Sequence, residues 1–154
     1  MELGDILTRD GIVHPVEGRT KKAVLQELSE KAAQLTGLSD RDIFDALLQR
    51  ERLGSTGLGR GIAIPHVKLR KLERIHCLFA RLDQPIDFES LDGEPVDLIF
   101  LLLAPEHASG DHLKTLARIS RLLREPRALE RLRNARDKVA LHLALTAPAT
   151  SHAA

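Results

Sequence analysis

The chain has 154 residues, about the length of one ordinary domain, and its 23 lysines and arginines balance 22 acidic residues. A formal net charge of +1 gives no general attraction to nucleic acid or to an anionic membrane. The chain has no tryptophan or tyrosine and only four phenylalanines, so it lacks the aromatic side chains on which nucleic-acid bases usually stack. We therefore expect no nucleic-acid binding.

The apolar runs and the cysteine content indicate the compartment. The longest unbroken apolar run, residues 98–104, is too short to span a bilayer, and the first twenty residues show no secretory pattern. The single cysteine, Cys77, excludes an internal disulfide and lies in an apolar run, where a buried, inert thiol is expected. These features predict a cytoplasmic protein without membrane insertion.

Two helices are predicted in the first third of the chain. Residues 20–35 place apolar side chains on one stripe at helical spacing, and Gly37 is a typical helix stop. Ser39 can cap a second helix, with an acidic residue three positions later. That helix is predicted to run to about Leu53, which puts Arg50 in its last turn.

The predicted strands are short apolar runs. This description fits residues 61–64, 75–82 and 96–103. The last run is almost continuously apolar, as in a central strand covered on both faces. Residues 11–17 are predicted to form an edge strand, where Pro15 is tolerated.

The remainder of the chain is predicted to be helical. Asp111 is predicted to cap a helix that stops before Pro126, and two shorter helices are predicted over 127–134 and 137–145.

Helices and strands that alternate in this way predict an α/β sandwich. We expect a single domain over residues 1–146 and a disordered tail over 147–154.

The most informative segment runs from Gly54 to His66 and holds four glycines within eight residues. Such a segment can turn sharply and direct several backbone N–H groups at one anion. It is not a Walker A loop, because Arg60 and Gly61 stand where a lysine and a hydroxyl residue are needed. A dinucleotide fingerprint needs a strand before the glycines and a helix after them, which is the reverse of the predicted order. An anion site and a plain connection with positive φ angles remain as interpretations.

Residues 50–66, RERLGSTGLGRGIAIPH, closely resemble the arginine-to-histidine segment of the nitrogen-type enzyme IIA proteins of the bacterial phosphoenolpyruvate phosphotransferase system. A weaker resemblance extends over about 13–143, including 95–98 and 111–116. The family, which includes the mannitol- and fructose-type enzymes IIA, implies a three-layer α/β sandwich whose mixed sheet has helices on both faces. Sugar-permease relatives usually read differently between the arginine and the histidine. Val67 departs from the pattern, since a small residue is common there.

The resemblance implies roles for three residues. His66 matches the histidine that accepts a phosphoryl group from a histidine-containing phosphocarrier protein, and a neutral imidazole is a competent nucleophile toward phosphorus. His112 matches a second histidine that orients the phosphoryl group, and Arg50 matches an arginine that neutralises its charge. Without the resemblance, His66 is interpreted as a structural histidine and Arg50 as a surface partner of Glu51 or Asp45. For His112 two interpretations stay open, a solvated histidine and a phosphate ligand in the first turn of its helix.

Further residues are predicted around the site. We expect Ser55, Thr56 and Gly57 to bind phosphate, although a turn-stabilising role is nearly as well supported for the two hydroxyls. An apolar, partner-facing rim is predicted from Leu58, Ile62 and Val67.

A metal site built from His66, His107, Asp111 and His112 is the competing interpretation of the histidines. These ligands are sparse, and backbone N–H donors suit an anion better than a cation. We therefore expect neither a metal nor an organic cofactor.

The resemblance implies a regulatory phosphoryl carrier without independent small-molecule turnover. Its expected partners are a phosphocarrier of the HPr-like nitrogen branch and regulated targets such as kinases or transporters. One alternative is a free-standing fructose- or mannitol-type enzyme IIA that passes phosphate to the IIB domain of a sugar permease. Another is a protein-binding module that is never phosphorylated.

Overall fold

A computed structural model of the chain describes residues 3–107 and 109–146, and the predicted tail lies outside these ranges. The helices are α1 (Leu3–Ile6), α2 (Lys21–Thr36), α3 (Asp40–Leu53), α4 (Ser109–Arg124), α5 (Pro126–Asn134) and α6 (Lys138–Thr146), with one 3₁₀ turn at Arg9–Gly11. The strands are β1 (Ile12–Val13), β2 (Gly57–Gly59), β3 (Ile62–Ala63), β4 (His66–Leu69), β5 (His76–Ile86) and β6 (Val96–Pro105). Within the described ranges, no helix combines the length and the apolar character needed to cross a membrane.

The six strands form one mixed sheet in the order β1-β5-β6-β3-β2, with β4 also paired to β6. Strand β6 runs antiparallel to β5 and parallel to both β3 and β4, while β1 is parallel to β5. The side chains from Leu98 to Ala104 are fully buried, because β6 has neighbours on both edges and helices on both faces. The predicted central strand is therefore confirmed.

Two apolar cores lie on opposite faces of the sheet. Alternate residues of β6 point to opposite sides, so Leu101 and Leu103 join one core while Phe100 and Leu102 join the other. The first core contains the buried faces of α2 and α3, and the second contains those of α1, α4, α5 and α6. This three-layer arrangement confirms the predicted fold class.

The predicted helix boundaries hold where the cap is local in sequence. The Thr20 side chain accepts a hydrogen bond from the Ala23 N–H at the start of α2, and Gly37 ends that helix with φ 77°. Ser39 caps α3 in the same way through the N–H of Asp42. Arg50 consequently lies in the last turn of α3, as predicted.

The glycine-rich segment differs from its prediction. It does not form one long loop before a strand: β2 and β3 form a tight antiparallel hairpin, and Arg60 turns the chain with φ 61° between two glycines of positive φ. Strand β4 follows immediately after Pro65. Because β3 and β4 both run parallel to β6, they form a single line of strand interrupted at Ile64 and Pro65.

Two other boundaries are corrected. Helix α4 begins at Ser109, so Asp111 lies in its first turn and is not its cap. The edge strand β1 is only Ile12–Val13, and Pro15 lies beyond it.

Candidate functional site

An open cavity of about 540 Å³ lies beside β4, between α3 and α4. Its lining residues are Ala46, Gln49, Arg50, Leu53, His66, Val67, Lys68 and His112. The fold therefore brings together the three residues to which the sequence assigns the main roles, His66, His112 and Arg50, from three separate elements.

His66 is the first residue of β4 and is half-buried. Its Nδ1 atom lies 2.8 Å from the carbonyl oxygen of Ile64. Because a carbonyl can only accept a hydrogen bond, Nδ1 must carry the proton in this contact. In the neutral form of the ring the lone pair therefore lies on Nε2, which is the nitrogen free to act as a nucleophile.

His112 lies in the first turn of α4, and its ring centroid is 5.7 Å from that of His66. Only 5% of His112 is exposed, and its Nδ1 has no hydrogen-bond partner among the described residues. Burial lowers the pKa of His112, and Coulombic interaction with the neighbouring His66 and Lys68 lowers it further by disfavouring the charged form of the ring. The ring is therefore neutral near pH 7 and has one N–H to donate to a ligand.

Two cations border the cavity. Arg50 is half-buried, and its Nη1 donates to the carbonyl oxygen of Gly54 over 2.9 Å. Within the described part of the chain Arg50 forms no ion pair, since Glu51 pairs with Lys21 instead. Lys68 is exposed and stands two residues after His66, so the period of a strand puts both on one side of β4.

The structure does not bring Ser55, Thr56 and Gly57 into the cavity lining. The Ser55 hydroxyl donates to the Phe88 carbonyl over 2.8 Å and accepts from the Gly57 N–H over 3.0 Å. The backbone N–H and the hydroxyl of Thr56 both donate to the Glu51 carboxylate. These groups hold the turn and are already bonded within the protein, so the structure gives the phosphate-binding prediction no support.

The predicted rim also changes. Ile62 is 3% exposed and belongs to the core on the α4 side, so the rim prediction is wrong for it. Leu58 is 56% exposed but lies outside the cavity lining, and Val67 lines the cavity while only 9% exposed. Sequence reasoning missed Leu53, which is 86% exposed and lines the cavity.

The cavity residues that sequence reasoning missed lie at regular spacings from residues that it did identify. Ala46, Gln49, Arg50 and Leu53 follow each other at helical spacing, so all four share one face of α3. Lys68 follows His66 at the spacing of a strand.

Within residues 3–107 and 109–146, no three histidine, cysteine, aspartate or glutamate side chains are grouped so that they could hold a metal ion. Cys77 is 2% exposed, and burial raises the pKa of its thiol, which agrees with an inert side chain.

Comparison with known proteins shows the family. The family model described as "Phosphoenolpyruvate-dependent sugar phosphotransferase system, EIIA 2" matches residues 5–147. The chain belongs to this family and is a phosphotransferase-system component of the enzyme IIA type.

Individual relatives point to the regulatory branch. A nitrogen regulatory protein of Bradyrhizobium diazoefficiens is 55% identical over 148 residues, which cover 96% of this chain and 97% of that protein. The crystal structure of the nitrogen regulatory protein IIA-Ntr from Neisseria meningitidis has 36% sequence identity and a TM-score of 0.89, and the match covers 94% of this chain and 99% of that one. The fructose-specific EIIABC component of Bacillus subtilis is 35% identical over 142 residues, covering 92% of this chain and 22% of that protein. The resemblance to nitrogen-type proteins is confirmed.

Proposed function

We propose that this protein is a cytoplasmic regulatory phosphoryl carrier, in which His66 takes a phosphoryl group from a phosphohistidine on an HPr-like carrier of the nitrogen branch. The observation that carries the proposal is the Nδ1–H···O=C contact between His66 and Ile64, because it leaves the Nε2 lone pair free in a cationic cavity. The family match over residues 5–147 supports treating residues 1–146 as one functional domain.

In the transfer step, the N–P bond of the donor phosphohistidine breaks while a new N–P bond forms at Nε2 of His66. The electron pair for the new bond comes from Nε2, and the pair of the broken bond returns to the donor imidazole. The phosphoryl group is anionic throughout, so catalysis consists mainly of positioning and of stabilising charge.

The other cavity residues match this requirement. Arg50 and Lys68 supply positive charge, and the neutral His112 supplies an N–H from the first turn of α4, where the helix dipole also favours an anion. This step requires no metal or organic cofactor.

The regulatory reading rests on the relatives named nitrogen regulatory protein. We propose that target proteins such as kinases or transporters dock on the apolar edge of the cavity, around Leu53, and distinguish the free from the phosphorylated histidine. Their contact would be transient and small, as is usual for signalling encounters.

A second candidate is a sugar-type enzyme IIA that passes its phosphoryl group to a IIB domain. The fructose-specific relative of Bacillus subtilis supports this alternative. Transfer from the phosphorylated protein to a purified fructose-specific IIB domain would establish it, whereas a regulatory protein should retain its label.

The proposal is tested by incubating the purified protein with labelled phosphoenolpyruvate, enzyme I and the histidine phosphocarrier. We expect acid-labile label on Nε2 of His66, located by ¹⁵N and ³¹P spectra, and no label on His66→Ala. The matched control is His107→Ala, because His107 is exposed and does not line the cavity. Absence of label on the wild-type protein would favour a pure binding module, and label on His112 or on Nδ1 of His66 would refute the assignment.

A further inference from the structure

Glu51 is a buried carboxylate that the transfer step does not use. Its side chain is 5% exposed, and its Oε1 lies 3.0 Å from Nζ of Lys21, which is itself only 15% exposed. The same Lys21 ammonium lies 4.7 Å from the ring centroid of Phe88. Since a charge is kept in such surroundings only when it is paired and hydrogen-bonded, the site must compensate it well.

The carboxylate of Glu51 is compensated by one residue of the turn. The backbone N–H of Thr56 donates to Oε1 over 3.0 Å, and the Thr56 hydroxyl donates to Oε2. Thr56 is 4% exposed, so solvent does not compete for these bonds. Glu51 thereby fixes the position of the peptide units around Thr56.

A continuous line of hydrogen bonds leads from Thr56 to the phosphoacceptor. The carbonyl of Thr56 accepts from the N–H of Ile64 over 3.1 Å. The carbonyl of the same Ile64 accepts from Nδ1–H of His66 over 2.8 Å. The N–H and the carbonyl of one residue belong to different peptide units, so the line acts through geometry, each bond fixing where the next acceptor stands.

The same turn also holds Arg50. Its Nη1 donates to the carbonyl of Gly54, two residues before Thr56. Movement of the turn would therefore displace both the acceptor ring and the guanidinium.

We propose that Glu51, with Lys21 as its counterion, is a positioning residue that holds His66 in the Nδ1–H tautomer and so keeps the lone pair on Nε2. The catalytic part of this proposal rests on the proposed phosphoryl transfer. Glu51 does not touch the phosphoryl group, and no proton moves along the line. Its action is to fix where the Ile64 carbonyl stands.

The test compares Glu51→Gln with Asp45→Asn. Asp45 is an exposed acid on the same helix and is bonded to neither the turn nor Arg50, so it is a matched control for charge. The tautomer of His66 is measured in the unphosphorylated protein from its ring ¹⁵N shifts, and phosphoryl acceptance is measured at varied carrier concentration. We expect Glu51→Gln to lose much of the Nδ1–H tautomer and to lower kcat about tenfold to a hundredfold, by analogy with the outer-shell partners of metal-bound histidines, with little change in KM. Asp45→Asn should change neither.

A double variant, Lys21→Met/Glu51→Leu, avoids leaving one unpaired buried charge, which is the main folding hazard of removing a single member of a buried ion pair. It removes the acceptor of Thr56 and should shift the tautomer as the single variant does. An unchanged tautomer in the folded variants would overturn the proposal. The tautomer of His66 is measured without any phosphoryl donor. This measurement therefore tests the positioning role of Glu51 even if the wild-type protein takes up no label and the proposed function is refuted.

Discussion

Gly57→Ala tests whether this glycine serves packing or phosphate binding. A Cβ at Gly57 would lie 2.2 Å from Oγ, 3.0 Å from Cβ and 3.1 Å from Cα of Ser90. Gly57 is not among the residues with positive φ, so alanine fits the backbone and the cost is purely steric. Ser90 is 8% exposed, and although rotation about χ1 can move its Oγ, it cannot move its Cβ or Cα away from Gly57. We expect the free energy of unfolding to fall by about 1–3 kcal/mol, the usual range for overpacking, with Tm falling roughly 2–4 °C per kcal/mol.

A double-mutant cycle with Ser90→Ala identifies the source of this loss. Oγ of Ser90 has no hydrogen-bond partner among the described residues, so Ser90→Ala alone should be neutral or slightly stabilising. In the double variant the contact with Oγ disappears but the contact at 3.0 Å with Cβ stays. We therefore expect the free energy of unfolding to recover in part, with a coupling energy between the two substitutions of about 0.5 kcal/mol or more.

The assay is urea and thermal unfolding of the four proteins, together with their rates of phosphoryl acceptance. The steric reasoning would be refuted by a Gly57→Ala variant as stable as the wild type, or by a double variant no more stable than Gly57→Ala alone. Slow phosphoryl transfer in a Gly57→Ala variant of unchanged stability would instead support a phosphate-binding role for Gly57.

Three further predictions concern the cavity. Arg50→Ala and His112→Ala should each slow phosphoryl transfer by roughly ten- to a thousandfold, as for lost transition-state donors. The control Arg52→Ala, at an exposed neighbour, should not slow it. Unchanged rates in both cavity variants would mean that other groups stabilise the charge of the phosphoryl group. Because the pKa of His112 is lowered in the folded protein, the unfolded chain binds more protons below about pH 6.5. The free energy of unfolding should therefore decrease as the pH falls from about 7 to 5, with a flatter profile for His112→Gln in urea titrations. Phosphorylation of His66 places roughly −1.5 to −2 charge units beside the apolar edge at Leu53. Titration of a regulated partner should therefore show weaker binding to the phosphorylated protein than to the free protein. Equal or tighter binding would contradict this prediction.

Sequence reasoning succeeded where the cause of the structure is local. The caps at Thr20 and Ser39 need only a hydroxyl and an N–H three residues later. The central strand needs only a long apolar run. The grouping of His66 with His112 came from the family resemblance, since no local rule brings together residues that lie 46 positions apart in number.

Sequence reasoning was least informative where a group is bonded to a partner distant in sequence. Ser55 looks like a phosphate ligand until its hydroxyl is seen to donate to Phe88, 33 positions away. Glycines near Arg60 correctly indicated positive φ, but the same angles serve a hairpin turn as well as an anion cradle. Ile62 was assigned to the surface because neither the register of β3 on β6 nor the helices above that face are visible in the sequence.

The placement of His66 on the sheet, with α3 and α4 on either side, has a kinetic consequence. Under the proposed function, an incoming histidine and a docking target would need the same opening, so the two would not bind together. Phosphoryl transfer would then follow a double-displacement scheme, with the carrier and the target each acting as a competitive inhibitor of the other. An abundant target would then shield the acceptor ring and slow the modification that releases it, so the ratio of target to carrier would set how quickly the protein changes state.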